Sequence, residues 1–373
     1  MKESDLKKAD EKDLEDIYLE TPDFSEEKIL GYRVGIRPYR KSGIRLETEY
    51  LNNKLIIHNY GYGGSGLTLC WGGAQEALDL LKQEKTKNPE NFPDKTVAIL
   101  GAGIIGLATA YDLLAQGYQV NIYADSFSPD LTSNVAVGIL SATPIQEDEP
   151  EKQIQLLSRI TEISAKRFMK NAFAPDPEFS GVKSLIEYRF EREVSGFPLP
   201  QETKFRGIHL EERRVRVHFD NGEIKRGKQI RELGLDGKVF INDLIAQIKS
   251  KGASIQKKFF EDKNDLGQLD EKVVINCTSL GSGKLFKDKD FIPVRGHLID
   301  FKPQMGRDYA LYHFVQEDPD YWVKLYPWED RLILGGMFER DFEGTEIDQR
   351  VVRKLLNYAR ACFKTAGFTE KDE

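Results

Sequence analysis

The sequence predicts an α/β fold with a buried parallel sheet, joined to a second domain built mostly of antiparallel strands. The unbroken apolar run TVAIL at 96–100 is typical of a strand buried on both faces. It leads through GAGIIG into the helical segment ATAYDLLAQG and then a second strand, YQVNIYAD, which together make a β-α-β unit. Residues 180–225 are interrupted by turn formers in the manner of an antiparallel sheet.

The remaining elements follow from residue periodicity. Charged residues alternate with a few leucines and isoleucines in residues 1–20, which predicts a solvated helix. Strands are predicted at 29–49, 55–59, 272–281, 291–300 and 331–338, and helices at 71–82, 151–172, 238–252 and 347–363. The polar, proline-containing stretch 83–95 is predicted to be a surface linker.

Composition narrows the class of protein. There are 54 Lys and Arg against 61 Asp and Glu, a net charge of −7 without a basic block, which argues against nucleic acid as a partner. No apolar run approaches the ~20 residues of a membrane span, and the charged N-terminus is unlike a secretory signal, so we expect a cytoplasmic protein with no membrane partner. The separated Cys70, Cys277 and Cys362 predict buried thiols. The histidine spacing indicates no metal site.

A dinucleotide-binding fingerprint occupies the turn between strand and helix. Gly101, Gly103 and Gly106 allow the tight turn, the close approach of a pyrophosphate and close helix–strand packing. Phosphates would then meet free N–H groups and the positive end of the helix dipole. Asp125 follows about 20 residues later at the end of the second strand, where a carboxylate can bind a ribose. This fingerprint does not separate NAD from FAD.

Several longer segments resemble one enzyme family. They are VAILGAGIIGLATAYDLL, IYADSFSPDLTSNVAVGIL, VVINCTSLGSGKL, PVRGHLIDF, LILGGMF, VGIRPYRKSGIRLE and HNYGYGGSGLTLCWGGA. Together they resemble the D-amino acid oxidase family, FAD enzymes related to D-aspartate oxidase. In that family the last two segments end the chain, whereas here they precede the dinucleotide strand. The sequence therefore resembles a circular permutant joined through 83–95; the alternative is an independent N-terminal domain before an ordinary dinucleotide-binding domain.

The resemblance implies a domain organisation and a cofactor. It implies a discontinuous, Rossmann-like FAD-binding domain and a mostly antiparallel substrate domain, and is compatible with a homodimer. We assign residues 45–145 and 238–308 to the FAD-binding domain, residues 20–44, 146–237 and 309–373 to the substrate domain, and residues 1–19 to a charged extension.

The resemblance also assigns residues to the cofactor. The pyrophosphate turn includes Ala102, Ile104 and Ile105 beside the three glycines. The flavin ring would lie along the loop 61–66 and the start of the following helix. Further positions matching the family's cofactor contacts are Gly63, Gly66, Leu67, Thr68, Thr132, Ser133, Gly138, Thr278 and Gly283. Ser126 stands where the family often has arginine.

On the substrate side, Arg37 matches the arginine that holds the substrate carboxylate, and Gly64 contributes backbone. Arg40 and Arg45 are interpreted as structural ion-pair residues. Lys324 stands where the family places a key tyrosine, flanked by Tyr321 and Tyr326. Strand alternation would put Lys324 and Tyr326 on one face and Tyr321 on the other. If Lys324 faces the substrate it would favour a second carboxylate, as in D-aspartate or D-glutamate; otherwise it is solvated.

The implied reaction is oxidation of the Cα–N bond of a small amino acid, D-configured by resemblance, to the imino acid. The Cα hydrogen passes to flavin as hydride and the electrons pass to oxygen, giving hydrogen peroxide. Two alternatives remain: a dehydrogenase that uses another electron acceptor, and a flavin-binding protein without turnover.

Overall fold

The computed structural model describes residues 14–136, 138–140, 151–190, 209–306, 308–315, 318, 320–342 and 344–365. The strands are β1 (Glu15–Leu19), β2 (Ile29–Arg40), β3 (Arg45–Leu51), β4 (Lys54–Tyr60), β5 (Thr96–Leu100), β6 (Gln119–Ala124), β7 (Gly138–Ile139), β8 (Val182–Phe190), β9 (His209–Phe219), β10 (Ile224–Leu235), β11 (Ser254–Lys257), β12 (Val273–Asn276), β13 (Phe291–Phe301), β14 (Ala310–Phe314), β15 (Tyr321–Pro327), β16 (Leu332–Met337) and β17 (Glu339–Arg340). The helices are α1 (Gly66–Lys87), α2 (Ile104–Ala115), α3 (Thr132–Val135), α4 (Glu151–Ala172), α5 (Gly237–Ser250), α6 (Gly281–Leu285) and α7 (Gln349–Phe363). Short 3₁₀ helices cover Glu26–Lys28 and Lys263–Gln268.

The smaller sheet has the strand order β11-β6-β5-β12-β4-β3, and its strands are parallel except β3. Its central strands β4, β5 and β12 are almost wholly buried, and β5 and β12 are mostly apolar, because helices cover the sheet as βαβ crossovers require. Helices α1, α2 and α5 pack on it around a core that contains Trp71 and Phe240. This sheet is the dinucleotide-type half of the fold.

The larger sheet runs β1-β9-β10-β8-β14-β15-β16-β13-β17, with β2 also paired to β13 and β7 to β10. Most of its pairs are antiparallel. Helix α7 packs against it around a second core that includes Phe24, Phe301 and Phe363. The observed class is therefore the predicted one, an α/β unit beside a mostly antiparallel sheet.

The segment before the linker shares a sheet and a core with the segment after it. Strand β4 lies parallel to β12, with Ile57 opposite Ile275, and helix α1 packs against α2. Leu55 and Val97 are buried in one cluster. This confirms that residues 44–82 pack together with residues 96–140.

Other predictions are corrected. Residues 15–19 form β1, parallel to β9, not part of a helix; Ile17 and Leu19 pack on the second core with a period of two. Residues 1–13 lie outside the described residues. The helix predicted at 71–82 runs from Gly66 to Lys87, and Phe92 in the linker is buried. Strand β13 belongs to the larger sheet, so the boundary at 308 falls one strand too late.

Among the described residues, no helix is both long and apolar enough to cross a bilayer. Within the same residues, no group of three His, Cys, Asp or Glu side chains is placed to hold a metal ion.

Candidate functional site

A cavity of about 580 Å³ lies between the two sheets. One wall is the carboxyl edge of β5, β6 and β12, with the turns that follow them. The other wall is the inner face of the larger sheet, from β2, β13, β15 and β16. Ligands of open α/β sheets bind outside the carboxyl ends of the strands, so the position agrees with the dinucleotide fingerprint.

The three fingerprint glycines do different work. Gly101 has φ +100°, and a Cβ there would lie 2.7 Å from the Cys277 carbonyl oxygen. A Cβ on Gly106 would lie 2.1 Å from the Gly101 carbonyl oxygen. Both glycines are therefore required by the fold itself. At Gly103, by contrast, the nearest atom to an added Cβ is Ser133 Oγ at 3.7 Å, and the residue faces the cavity.

These residues fit the pyrophosphate and ribose of a dinucleotide. Gly103 leaves room for close approach, although the chain alone would accommodate a side chain there. The Ile104 N–H donates to Ser133 Oγ at 3.2 Å, and the N–H groups that follow it in α2 supply donors and the positive end of the helix dipole. Asp125 is exposed at the rim of the same cavity, at the end of β6. Backbone N–H groups and hydroxyls as donors, with one carboxylate as acceptor, are the polar groups that such a cofactor requires.

The middle of the cavity is lined by the loop between β4 and α1. Gly63 has φ +54°, and a Cβ added there would lie 3.5 Å from Cε2 of the Tyr39 ring. The Tyr62 hydroxyl donates to Asn59 Oδ1 at 2.6 Å and fixes the loop to β4. Helix α1 begins at Gly66, inside the cavity wall, so its N-terminus faces the cavity more directly than a start at residue 71 would allow. The positive end of a helix dipole favours negative charge at this place.

The substrate end is dominated by Arg37, on β2 opposite Val294. Its Nη1 donates to the Met337 carbonyl oxygen at 3.2 Å, and its guanidinium lies 4.9 Å from the centre of the Phe338 ring. Among the described residues it forms no ion pair with a carboxylate. Burial lowers the pKa of Arg37, although the group keeps some surface open to the cavity. Its positive charge therefore has no carboxylate partner within the part of the chain that the structure describes.

Gly296 leaves space for the guanidinium of Arg37, a role that the sequence analysis did not predict. A Cβ at Gly296 would lie 2.5 Å from Arg37 Nη1. A side chain there would push the guanidinium out of position. The segment PVRGHLIDF was recognised, but only the pairing of β13 with β2 shows what its glycine does.

Aromatic and apolar groups complete the substrate end. Trp322, Tyr326 and Leu298 line the cavity beside Arg37. The Trp322 ring meets the Phe338 ring edge-on, with 4.6 Å between ring centres. Lys324 Nζ lies 5.2 Å from the centre of the Tyr326 ring, and burial raises the pKa of Tyr326, so the hydroxyl keeps its proton. Sequence reasoning had named Tyr326 but not Trp322.

Two other residues expected at this end lie elsewhere. Tyr321 is buried in the second core, with its ring 5.5 Å from that of Tyr358, so it does not reach the cavity. Lys324 is buried and lies outside the described cavity wall, with Nζ 3.4 Å from Glu187 Oε2. The expectation that Lys324 is either solvated or facing the substrate is therefore wrong.

Some of the residues predicted to contact the cofactor line the cavity, and others do not. The described residues that line the cavity include Gly63, Gly64, Gly66, Leu67, Gly101, Ala102, Gly103, Ile104, Ile105, Asp125, Thr132, Ser133 and Thr278. Gly106 packs behind this wall. Gly138, Gly283 and Thr68 also lie outside it: Gly138 pairs with Leu235 in the larger sheet, Gly283 is in α6, and Thr68 is buried in α1.

The two arginines interpreted as structural are confirmed as such. Arg40 Nε lies 2.9 Å from Asp288 Oδ2, and Arg45 Nε lies 2.6 Å from Glu47 Oε1. A third arginine, Arg33, was overlooked. It forms a two-pronged ion pair with Asp300 and donates to the Val135 carbonyl oxygen at 3.1 Å, which ties the loop at α3 to the larger sheet.

Comparison with known proteins identifies related sequences and structures. A family model described as FAD dependent oxidoreductase matches residues 96–372. A D-amino-acid oxidase of Dictyostelium discoideum is 26% identical over 274 residues, 71% of this chain and 72% of that protein. The D-aspartate oxidase of Homo sapiens is 24% identical, over 71% of this chain and 74% of its own. The glycine oxidase structure from Bacillus cereus ATCC 14579 aligns with a TM-score of 0.50 at 14% identity, over 71% of this chain and 77% of its own, and shows the shared fold.

Proposed function

The chain belongs to the family of FAD-dependent oxidoreductases, and from that premise we propose that it oxidises the Cα–N bond of a small D-amino acid to the imino acid, with oxygen as the electron acceptor. FAD is the cofactor, and the residues of the cavity fit it at both the pyrophosphate turn and the loop before α1. The relatives named as D-amino-acid and D-aspartate oxidases support the choice of substrate.

The observation that carries the proposal is the unpaired charge of Arg37. A buried cation without an anion is costly, so the site favours a ligand that brings a carboxylate. The planar guanidinium can hold both carboxylate oxygens at once, which fixes the orientation of the rest of the molecule. Every α-amino acid carries this group next to the Cα that must react.

The reaction then depends mainly on position. When bound, FAD supplies the acceptor for the hydride that leaves Cα. Arg37 holds the carboxylate, and Tyr326, which lines the same end of the cavity, would donate its hydroxyl proton to the same ligand. The Trp322 and Leu298 walls exclude water from the reacting carbon. The N-terminus of α1 favours negative charge at the cavity wall. No side-chain base is needed, because positioning and electrostatics supply the catalysis.

We also propose that the chain is a circular permutant of its family. The family model matches residues 96–372, while β4, α1 and Arg37 precede it in sequence. Those earlier residues nevertheless complete the same sheet and the same cavity. On this proposal, residues 45–145 and the chain from 238 to the start of β13 form one discontinuous FAD-binding unit, joined through the linker 83–95.

The experiment is a substrate panel on the purified FAD-loaded protein. D-amino acids should bleach the flavin without oxygen and release hydrogen peroxide in air, and L-amino acids should not. Glycine and sarcosine complete the panel. Bleaching without peroxide would assign a different electron acceptor. The proposal would be contradicted if no amino acid bleached the flavin, or if the released cofactor were a nicotinamide.

A further inference from the structure

A buried polar cluster lies directly beside the substrate end of the cavity. Lys324 is opposite Gly335, a cavity-wall residue, so both are on the inner face of the larger sheet. The lysine side chain nevertheless turns along the sheet, with Nζ 3.4 Å from Oε2 of the fully buried Glu187. Tyr312 and Tyr326 flank the ammonium group, each ring centre 5.2 Å from Nζ.

The charges in this cluster are balanced locally. Burial alone would raise the pKa of Glu187, but Lys324 and Arg189 outweigh it and the pKa is lowered. Burial alone would lower the pKa of Lys324, but Glu187 outweighs it and the pKa is raised. Lys324 and Glu187 are therefore both ionised and paired. Arg189 binds the other oxygen of Glu187 and extends toward solvent.

The second carboxyl group of the cluster does not compete for Lys324. Glu232 is fully buried, and burial together with the neighbouring Glu187 raises the pKa of Glu232 well above its ordinary value. Arg189 Nη2 lies 3.4 Å from Glu232 Oε2, so this carboxyl group is held by the arginine. Glu187 is left as the anion that holds the lysine.

The Lys324–Glu187 ion pair determines how many cations face the substrate. Among the described residues that line the cavity, the cations are Arg37 at the substrate end and Lys258 and Lys284 toward the Asp125 end. The walls around Arg37 are Leu298, Trp322 and Tyr326. A second carboxylate in this place would have no cation to meet and would lose its hydration.

Building on the proposed function, we propose that Glu187 is a specificity-determining residue: by holding Lys324 away from the cavity, it disfavours amino acids that carry a second carboxylate. Glu187 acts through Lys324 and is a positioning residue. This replaces the sequence-based expectation that Lys324 favours D-aspartate or D-glutamate.

The test compares two unreactive ligands, butanoate and succinate, which differ in whether the far end is a methyl group or a carboxylate. Their dissociation constants for the FAD-loaded protein are measured by calorimetry, so no turnover is required. Wild type should bind butanoate at least about tenfold more tightly than succinate. Tighter binding of succinate by wild type would overturn the inference.

Variants locate the cause. Glu187→Gln should free the lysine charge and shift the butanoate-to-succinate ratio toward succinate by about tenfold. Glu187→Gln combined with Lys324→Met removes both charges together and should keep the wild-type ratio. The matched control is Glu212→Gln, which breaks the partly exposed pair with Lys228 on the same sheet and should leave the ratio unchanged.

The outcomes separate this inference from the proposed function. If Glu187→Gln leaves the ratio at its wild-type value, or if the double variant loses succinate binding that wild type has, the inference fails while flavin reduction by amino acids remains. Should Glu187→Gln not fold, the double variant and the wild-type ratio still decide. Failure of the proposed function shows instead as absence of flavin reduction with every amino acid of the panel.

Discussion

The two ends of the cavity are built in opposite ways. At the nucleotide end, the turn from Gly101 to Ile105 offers backbone N–H groups, next to side-chain hydroxyls and the Asp125 carboxylate. At the substrate end, the wall is made of side chains from distant strands: Arg37 from β2, Leu298 from β13, and Trp322 and Tyr326 from β15. The glycine turn of the first end is local in sequence, whereas the second end exists only after the larger sheet has formed.

The difference teaches where each end is vulnerable. The glycine turn is lost as a binding site when a side chain fills it, but its backbone carries no charge that a substitution could remove. A side-chain site depends on one charge, Arg37, and on the glycine that leaves room for it. Substitutions at the two ends should therefore change different measurements, cofactor affinity at one and carboxylate affinity at the other.

The largest expected effect is at the substrate end. Arg37→Ala should weaken benzoate binding and flavin reduction by amino acid by about 2–5 kcal/mol, because a charge-assisted bidentate pair is lost, while FAD stays bound. Arg37→Lys should recover only part of the loss, since a point charge does not fix orientation. Rapid mixing and benzoate titration measure both, with the surface variant Arg159→Ala as control. Values within about threefold of wild type (~0.7 kcal/mol) would contradict the assignment.

The second effect concerns the stability of the nucleotide-side sheet. His58 is fully buried on β4, where its Nδ1 accepts from Asn276 and its Nε2 donates to Glu49. Burial, and then Arg45, lowers the pKa of His58 to about 4, although Glu49 and Glu47 act in the opposite direction. Between the ordinary pKa of about 6.5 and this value, only the unfolded chain binds the proton, so stability falls as pH falls.

His58→Gln should remove that part of the acid sensitivity. The free energy of unfolding, measured with urea at pH 7 and at about pH 4.5, should differ between the two pH values by about 2–3 kcal/mol less in the variant than in wild type. An unchanged difference would mean that His58 is not the neutral, buried group described above. Flavin content at pH 7 should be the same in both proteins.

A third prediction separates the effect of the Arg37 charge from the effect of the space that Gly296 leaves for its guanidinium. Gly296→Ala should weaken benzoate binding by about 1–3 kcal/mol although the arginine is still present, because the new Cβ displaces the guanidinium. Gly31→Ala on the neighbouring β2 is the matched control, since no atom lies within 4 Å of an added Cβ there. Equal benzoate affinities in the two variants would show that the guanidinium needs no such space.

The smallest effect is expected at the nucleotide end. Gly103→Ala should weaken FAD binding by about tenfold, or ~1.4 kcal/mol, and leave the unfolding of the apoprotein unchanged, since the fold has room for a methyl group there. Gly106→Ala should instead destabilise the apoprotein, because its Cβ would meet the Gly101 carbonyl oxygen at 2.1 Å. FAD titration and thermal unfolding of both apoproteins distinguish these cases. Loss of apoprotein stability in Gly103→Ala would contradict the assignment of Gly103 to cofactor binding and of Gly106 to the fold.

The same contrast explains what the sequence could predict. The fingerprint, the strands β5, β6 and β12, and the helices α4 and α7 follow from local patterns, and they were found. At Lys324 the strand pattern correctly put the residue on the inner face, but the pattern does not contain Glu187, which comes from another strand and takes up the charge. Tyr321 was expected near the site and lies in the second core, beside a register irregularity in β15.

The N-terminal residues failed for a related reason. Ile17 and Leu19 are two residues apart, a spacing that is typical of a strand. The charged residues around them are equally compatible with a solvated helix. Only the edge of β9 decides between the two, since it offers a partner for β1. Long-range pairing thus overrides the local preference at both Lys324 and β1.

The central claim is that one cavity, assembled from residues on both sides of the linker, holds FAD and the substrate carboxylate together. A crystal structure of the protein with FAD and benzoate tests it most directly. The account predicts the pyrophosphate against Gly101 and Gly103, the flavin ring along the loop before α1, and the benzoate carboxylate bound by the Arg37 guanidinium. A flavin that makes no contact with the loop before α1, or a benzoate bound away from Arg37, would contradict it.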